Sequence, residues 1–275
     1  VVELAGGFWT GSLALLSDAG HMLTDVLALG LALFAAWVSK KPVSPGKTYG
    51  YLRAEILGTF CNGILLAIVC LLIFYEAIHR LLNPSPVMAE GMLIIAVLGL
   101  LVNLGSAVPL FRHRHRNLNV KGAFIHLMSD ALGSVGAIAS ALIMMFTGWI
   151  HADAVMSLFI GLLIFWSAWK IIGESSQILL EAAPADISTE DVRHSLFQIP
   201  LVRDVHDLHI WTLASGEVLL TTHLCLDEKT APVSMDECLD ACEAVLREQY
   251  HINHCTIQLE TLNYKKKHAQ SCQQK

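Results

Sequence analysis

The 275 residues are 54% hydrophobic and 15% charged, too apolar for an ordinary soluble domain and the balance of a membrane protein with a polar appendage. A net charge of -6 argues against a nucleic-acid-binding surface, and the short basic clusters read as markers of membrane topology instead. Seven cysteines without a CxxC pair, four of them (Cys225, Cys238, Cys242, Cys255) in the polar C-terminal region, read as reduced thiols facing a cytosol.

The chain opens at Val1-Val2-Glu3 and enters an apolar run at once, so its first membrane span is expected to be present only in its last part. No charged segment precedes that run, and no signal peptide is expected. About 20 apolar residues are needed to cross roughly 30 Å of hydrocarbon as helix. Such runs fall at 1–12, 15–38, 54–80, 88–111, 120–146 and 152–174, which predicts six membrane helices, the first truncated.

Loop charges orient the six. Lys40, Lys41, Lys47 and Arg53 flank the connection after the second span, and Arg112, Arg114, Arg116 and Lys121 the one after the fourth, so both are expected in the cytoplasm. Residues 83–86 and 147–150 carry no Lys or Arg and should face the other side. Both chain ends are therefore expected inside. Gly99 with Asn103, and Gly133 with Gly136 and Ser140, read as close helix packing rather than chemistry.

From Pro184 the pattern becomes globular. Asp186 or Ser188 can cap a helix running to about Gln198. Residues 202–212 and 217–227 alternate as strands around a glycine turn at 214–216. A helix over 234–249 puts Leu239, Cys242 and Leu246 on one face, and a last strand covers 255–262. This α-β-β-α-β order predicts a small α+β domain with helices on one side of a mixed or antiparallel sheet. The division is then a membrane domain over 1–178, an α+β domain over 184–262 and a polar tail over 263–275, disordered, with His268 and Cys272 solvated.

Two copies of one pattern stand out: His21-Met-Leu-Thr-Asp25 in the second span and His126-Leu-Met-Ser-Asp130 in the fifth. The His-to-Asp spacing puts both side chains on one helix face, one turn apart. An ionised Asp at the centre of a membrane helix costs roughly 2.5–3.5 kcal/mol on insertion scales. Neither span has a Lys or Arg near its pair, so a divalent cation is the natural source of the missing positive charge. Two imidazoles with two carboxylates suit zinc in tetrahedral coordination, with cobalt or cadmium also able to bind. Asp18 extends the same polar face and could line an access path or cap the helix start.

On these residues the chain resembles the cation diffusion facilitators, a family of zinc/proton antiporters. Residues 12–25 are similar to the family's second helix, 126–134 to its fifth, and His206-Asp-Leu-His209-Ile-Trp211 to the start of its cytoplasmic sheet. The resemblance implies a homodimer with six helices per subunit and makes His21, Asp25, His126 and Asp130 the ligands of the transported ion, in the zinc-preferring subgroup. It also implies a zinc site in the cytoplasmic domain, for which His206, His223 and Glu260 match the ligand positions best, while Gln258 stands where a His often does. Strand alternation puts His206 and His209 on opposite faces, so both should not join one site. The loop over 40–53 has no His, so the extra loop site of some relatives is expected to be absent. His113 and His115 among Arg112, Arg114 and Arg116 read as a lipid-phosphate anchor.

Ligand ionisation then suggests a mechanism. Imidazole and carboxylate shed protons to bind metal and regain them when it leaves, so Zn2+ export in exchange for H+ by alternating access is expected, with no organic cofactor. Two other classes compete: an intramembrane zinc metalloenzyme and a passive divalent-cation channel. The enzyme would need a general base such as the Glu of H-E-x-x-H and an open zinc position, and neither helix has that Glu. Compact loops suggest a bacterial plasma membrane.

Overall fold

In the computed structural model, residues 2–39, 41–111, 118–214, 216–226, 235–261 and 263–264 are described. The Arg112–Arg116 cluster, Lys40, and His268 and Cys272 of the tail lie outside them. The elements run α1 Val2–Thr10, α2 Leu13–Ser39, α3 Ala54–Leu82, α4 Ala89–Phe111, α5 Leu118–Thr147, α6 Ala152–Leu179, α7 Thr189–Phe197, β1 Val202–Ala214, β2 Glu217–Leu226, α8 Met235–Tyr250 and β3 His254–Thr261. Of these, α2 to α6 contain stretches long and apolar enough to cross a membrane. The nine residues of α1 are too few to do so alone. Val26, Leu29, Leu33 and Phe34 on α2 and Trp166 and Trp169 on α6 are exposed, the outward apolar surface that lipid covers. The chain is an integral membrane protein.

Two compact units divide the chain, one of Val1–Leu33 with Thr59–Ile172 and one of Phe34–Gly58 with Gly173–Lys275. The core of the first is built with small residues: Ala14, Ala96, Ala137, Ala141, Ala152 and Ala168 pack among Leu15, Leu66, Met92, Ile95, Met144, Ile160 and Ile164. Lipid tails are as apolar as Leu, so close backbone approach and dispersion, not water expulsion, hold such helices together.

The start of α2 is anchored from far along the chain. Asp153, in the first turn of α6 and fully buried, accepts hydrogen bonds from Ser12 Oγ at 2.7 Å and from the backbone N–H of Leu13 at 2.6 Å and of Ala14 at 3.2 Å. Helix N-termini leave such donors unsatisfied, and a carboxylate there also meets the positive end of the helix dipole. Ser12 Oγ in turn accepts from Leu15 N–H at 3.2 Å. Asp18 therefore does not cap this helix. It lies buried inside α2, where a Cβ added to Gly133 of α5 would stand 2.9 Å from its Oδ1.

Gly99 seats a carboxylate in the same way. A Cβ there would collide with Glu3 Oε1 from α1, a residue itself buried. Both glycines thus make room for acids, beyond the packing role expected of them. Gly136 does keep that role, facing Met156 and Ile160 of α6.

In the second unit the order α7-β1-β2-α8-β3 matches the expected one, with β1 antiparallel and β3 parallel to the central β2. Ser188 caps α7, its side chain accepting from Asp191 N–H at 3.2 Å. Gly216 turns the β1–β2 hairpin at φ +80°, a conformation glycine adopts freely. Val192 and Leu196 of α7, Cys238, Cys242 and Leu246 of α8 and Val205, Leu208, Ile210, Leu220 and Leu224 of the sheet form one core. Cys238, not Leu239, completes the buried face of α8.

β1 is not regular. His206 pairs with His223 and His209 with Thr221, so three steps on β1 match two on β2, and Asp207 takes φ +52° at this bulge. The extra residue restores His209 to the same face as His206. The opposite-face expectation assumed an unbroken strand and is corrected here.

Candidate metal centres

α2 and α5 bring the two His-x-x-x-Asp pairs together. His21 Nε2 lies 3.7 Å from Asp25 Oδ2 and 3.9 Å from Asp130 Oδ1, while His126 Nε2 lies 3.5 Å from Asp25 Oδ2 and 3.6 Å from Asp130 Oδ2. One donor atom from each of the four falls within 4.8 Å of every other. A zinc tetrahedron with bonds of about 2.0–2.2 Å has edges of about 3.3–3.6 Å; the four His-to-carboxylate distances of 3.5–3.9 Å lie within a few tenths of an ångström of that, and the set as a whole within 4.8 Å.

The donors are also left free for an ion. Among the described residues, Asp25 Oδ2 and Asp130 Oδ1 are buried without a hydrogen-bond partner. Thr24 and Ser129, inside the two motifs, bond back to their own helices, Thr24 Oγ1 to His21 O at 2.7 Å and Ser129 Oγ to Ile125 O at 3.2 Å. They hold no place in the shell. Asp130 is the most enclosed of the four and His126 the most open, with half its side chain exposed. Among the described residues, the ion pairs of both Asps run to the two histidines. Two carboxylates with no Lys or Arg partner among the described residues carry net negative charge that a divalent cation neutralises.

A second group forms on the sheet. His206 Nε2 lies 3.4 Å from Glu260 Oε2 and His223 Nδ1 lies 2.9 Å from Glu260 Oε1, with the two rings 5.3 Å apart at 75°. Both nitrogens are buried without hydrogen-bond geometry to a partner. Gln258, where a His was the family expectation, donates from Nε2 to Glu260 Oε1 at 2.8 Å and so orients that carboxylate. His209, although on this face, is tied to Asp207 at 3.1 Å and, among the described residues, belongs to no three-donor group.

Two features were not legible beforehand. Asp153 meets the start of α2 across 140 residues of sequence, where the local pattern offered only Asp18 as a cap. Asp204 and Cys225 join a further group with His206 that only the strand register reveals.

Comparison with known proteins agrees with this architecture. Residues 1–180 match the cation efflux transmembrane domain family, and residues 184–262 the cytoplasmic domain of cation efflux proteins. The metal cation efflux system protein CzcD of Cupriavidus metallidurans is 42% identical over 94% of this chain and 82% of its own. The zinc transporter ZitB of Escherichia coli is 42% identical over 99% of this chain and 85% of its own. A cadmium, cobalt and zinc/H(+)-K(+) antiporter of Bacillus subtilis is 40% identical over 100% and 89%.

Proposed function

The chain belongs to the cation efflux family, the cation diffusion facilitators, and from that premise we propose that it exports Zn2+ from the cytosol in exchange for protons, through His21, Asp25, His126 and Asp130. Members of this family move metal cations and are not enzymes, which removes the metalloenzyme reading. The observation that carries the proposal is the spacing of four donor atoms within 4.8 Å of one another, two of them carboxylate, with no cationic partner for either Asp among the described residues.

The chemistry of the four residues supplies the coupling. Neutral imidazole and ionised carboxylate bind the ion, and the protonated forms cannot, so loading zinc releases protons and protonation releases zinc. The carboxylates hold the charge. The imidazoles disfavour hard ions such as Mg2+, which prefer all-oxygen shells. If the bundle presents this shell to each side in turn, a more acidic exterior drives the ion outward.

The same reading takes residues 1–178 as the membrane domain and 184–262 as a cytoplasmic domain that joins two copies of the chain, with both ends inside and a bacterial plasma membrane as the site. Residues 263–275 are a tail. His206, His223 and Glu260 are the ligands of a second zinc ion held by the cytoplasmic domain as a structural or regulatory ion. Reconstitution into proteoliposomes tests the transport reading: zinc flux should follow an imposed pH gradient and reverse with it. Flux that ignores the gradient would mark a passive channel instead, and no flux would reject transport altogether.

A further inference from the structure

Six side chains share one face of the three-stranded sheet, in two rows. Asp204 pairs with Cys225 and Cys225 with Glu260, while His206 pairs with His223 and His223 with Gln258. Residues paired across strands project to the same side, and so do residues two apart on one strand. The zinc site proposed above uses His206, His223 and Glu260 and leaves Asp204 and Cys225.

Those two do not stand alone. Asp204, His206 and Cys225 each offer a donor atom, and all three lie within 4.8 Å of one another. Asp204 Oδ2 is 3.1 Å from His206 Nδ1, whereas His206 Nε2 faces Glu260 Oε2 at 3.4 Å. The one imidazole therefore touches both donor groups through different nitrogens. Cys225 is fully buried beneath this face, and Asp204 is partly exposed at its edge. An ion would enter past the carboxylate and be held from below by sulfur.

We propose that Asp204, His206 and Cys225 form a second metal site in the cytoplasmic domain, selective for soft divalent cations, cadmium foremost. Thiolate, imidazole and carboxylate together favour a softer ion than the nitrogen and oxygen donors of the neighbouring set. Binding replaces the thiol proton of Cys225 with a metal–sulfur bond and releases that proton to water. A neutral imidazole has a single free lone pair, so His206 serves one ion at a time and the two sites are alternatives. Cadmium would thus displace zinc from the cytoplasmic domain in preference to the membrane shell, which contains no sulfur. The site shares His206 with the zinc site above but does not require that zinc be bound there.

The test uses the full chain in detergent, titrated with Cd2+ alone, and reads the ultraviolet thiolate-to-cadmium charge-transfer band. The wild type should show a band that saturates at one cadmium per chain. Cys225→Ser should lose it, whereas Cys242→Ser and Glu260→Gln should keep it. Because Cys225 is buried and its replacement could unsettle the fold, Asp204→Ala provides an independent reading from the rim: cadmium affinity there should fall by at least about tenfold. No band in the wild type, a band that survives Cys225→Ser in folded protein, or unchanged cadmium affinity in Asp204→Ala would each overturn the site. Loss of the band in Glu260→Gln with Cys225 intact would also overturn it, by showing that the two donor sets are one. A failure of zinc transport by pH gradient leaves these readings unaffected.

Discussion

The carboxylate of Asp153 accepts a hydrogen bond from the backbone N–H of Leu13 at 2.6 Å, so the first turn of α6 holds the first turn of α2. Helix α2 carries His21 and Asp25, and its seat against α6 helps set where they stand. Replacing Asp153 by Ala should lower stability by about 1–3 kcal/mol, the range for losing hydrogen bonds to a charged acceptor. Thermal unfolding in detergent checks this. Zinc affinity should fall as well, since the ligands lose their fixed position, and an unchanged melting temperature would refute the anchoring role.

Gly133 is predicted to be intolerant of even one methyl group. A Cβ there would sit 2.9 Å from Asp18 Oδ1, so Gly133→Ala should cost about 1–3 kcal/mol through overpacking. Asp18→Ala removes the clashing atom. The double variant should therefore recover part of the loss, a non-additivity that denaturation midpoints of the four proteins would reveal. Strict additivity would mean that the two residues do not meet.

The buried thiols of the cytoplasmic domain predict a pH dependence. Burial, foremost, pushes the Cys242 thiol up from the usual 9.0 to about 12, and burial likewise raises Cys238 and Cys255. In the unfolded chain these thiols ionise near 9.0, whereas in the folded chain Cys242 keeps its proton. The stabilisation from Cys242 is thus complete below pH 9.0 and is lost as pH rises through about 12. Unfolding followed across that window should show the decline, and Cys242→Ala should flatten it. The same protonation makes Cys242 slow to alkylate.

Gln258 is predicted to act on the cytoplasmic zinc site through Glu260. Its amide donates to Glu260 Oε1 at 2.8 Å, and Gln258→Ala should weaken zinc binding there by about tenfold while sparing the membrane shell. Calorimetric titration of zinc resolves the two classes of site. Both classes unaltered in Gln258→Ala would show that the hydrogen bond contributes nothing.

Much of this architecture is legible in the residues themselves. Apolar run lengths place α2 to α6 to within a few residues, because the bilayer demands a fixed helix length, and the His-x-x-x-Asp spacing marks a shared helix face by simple periodicity. Ser188 as a cap and Gly216 as a turn follow from local side-chain chemistry in the same way. What resisted was contact between distant segments. Asp153 could meet Leu13, and Gly99 and Gly133 could seat Glu3 and Asp18, only through helix packing that no local pattern encodes. The bulge at Asp207 was invisible for a related reason: alternation reads a strand as regular, and one extra residue reverses every face beyond it.

The most direct test concerns the four membrane ligands together. Zinc binding and pH-driven zinc flux in proteoliposomes should be measured for the wild type, Asp25→Ala and His126→Ala, whose side chains meet at 3.5 Å. The expected result is saturable binding and gradient-driven flux in the wild type, with both reduced to background in each variant while the purified proteins remain folded. Normal flux in both variants would contradict the assignment of the transport site to His21, Asp25, His126 and Asp130.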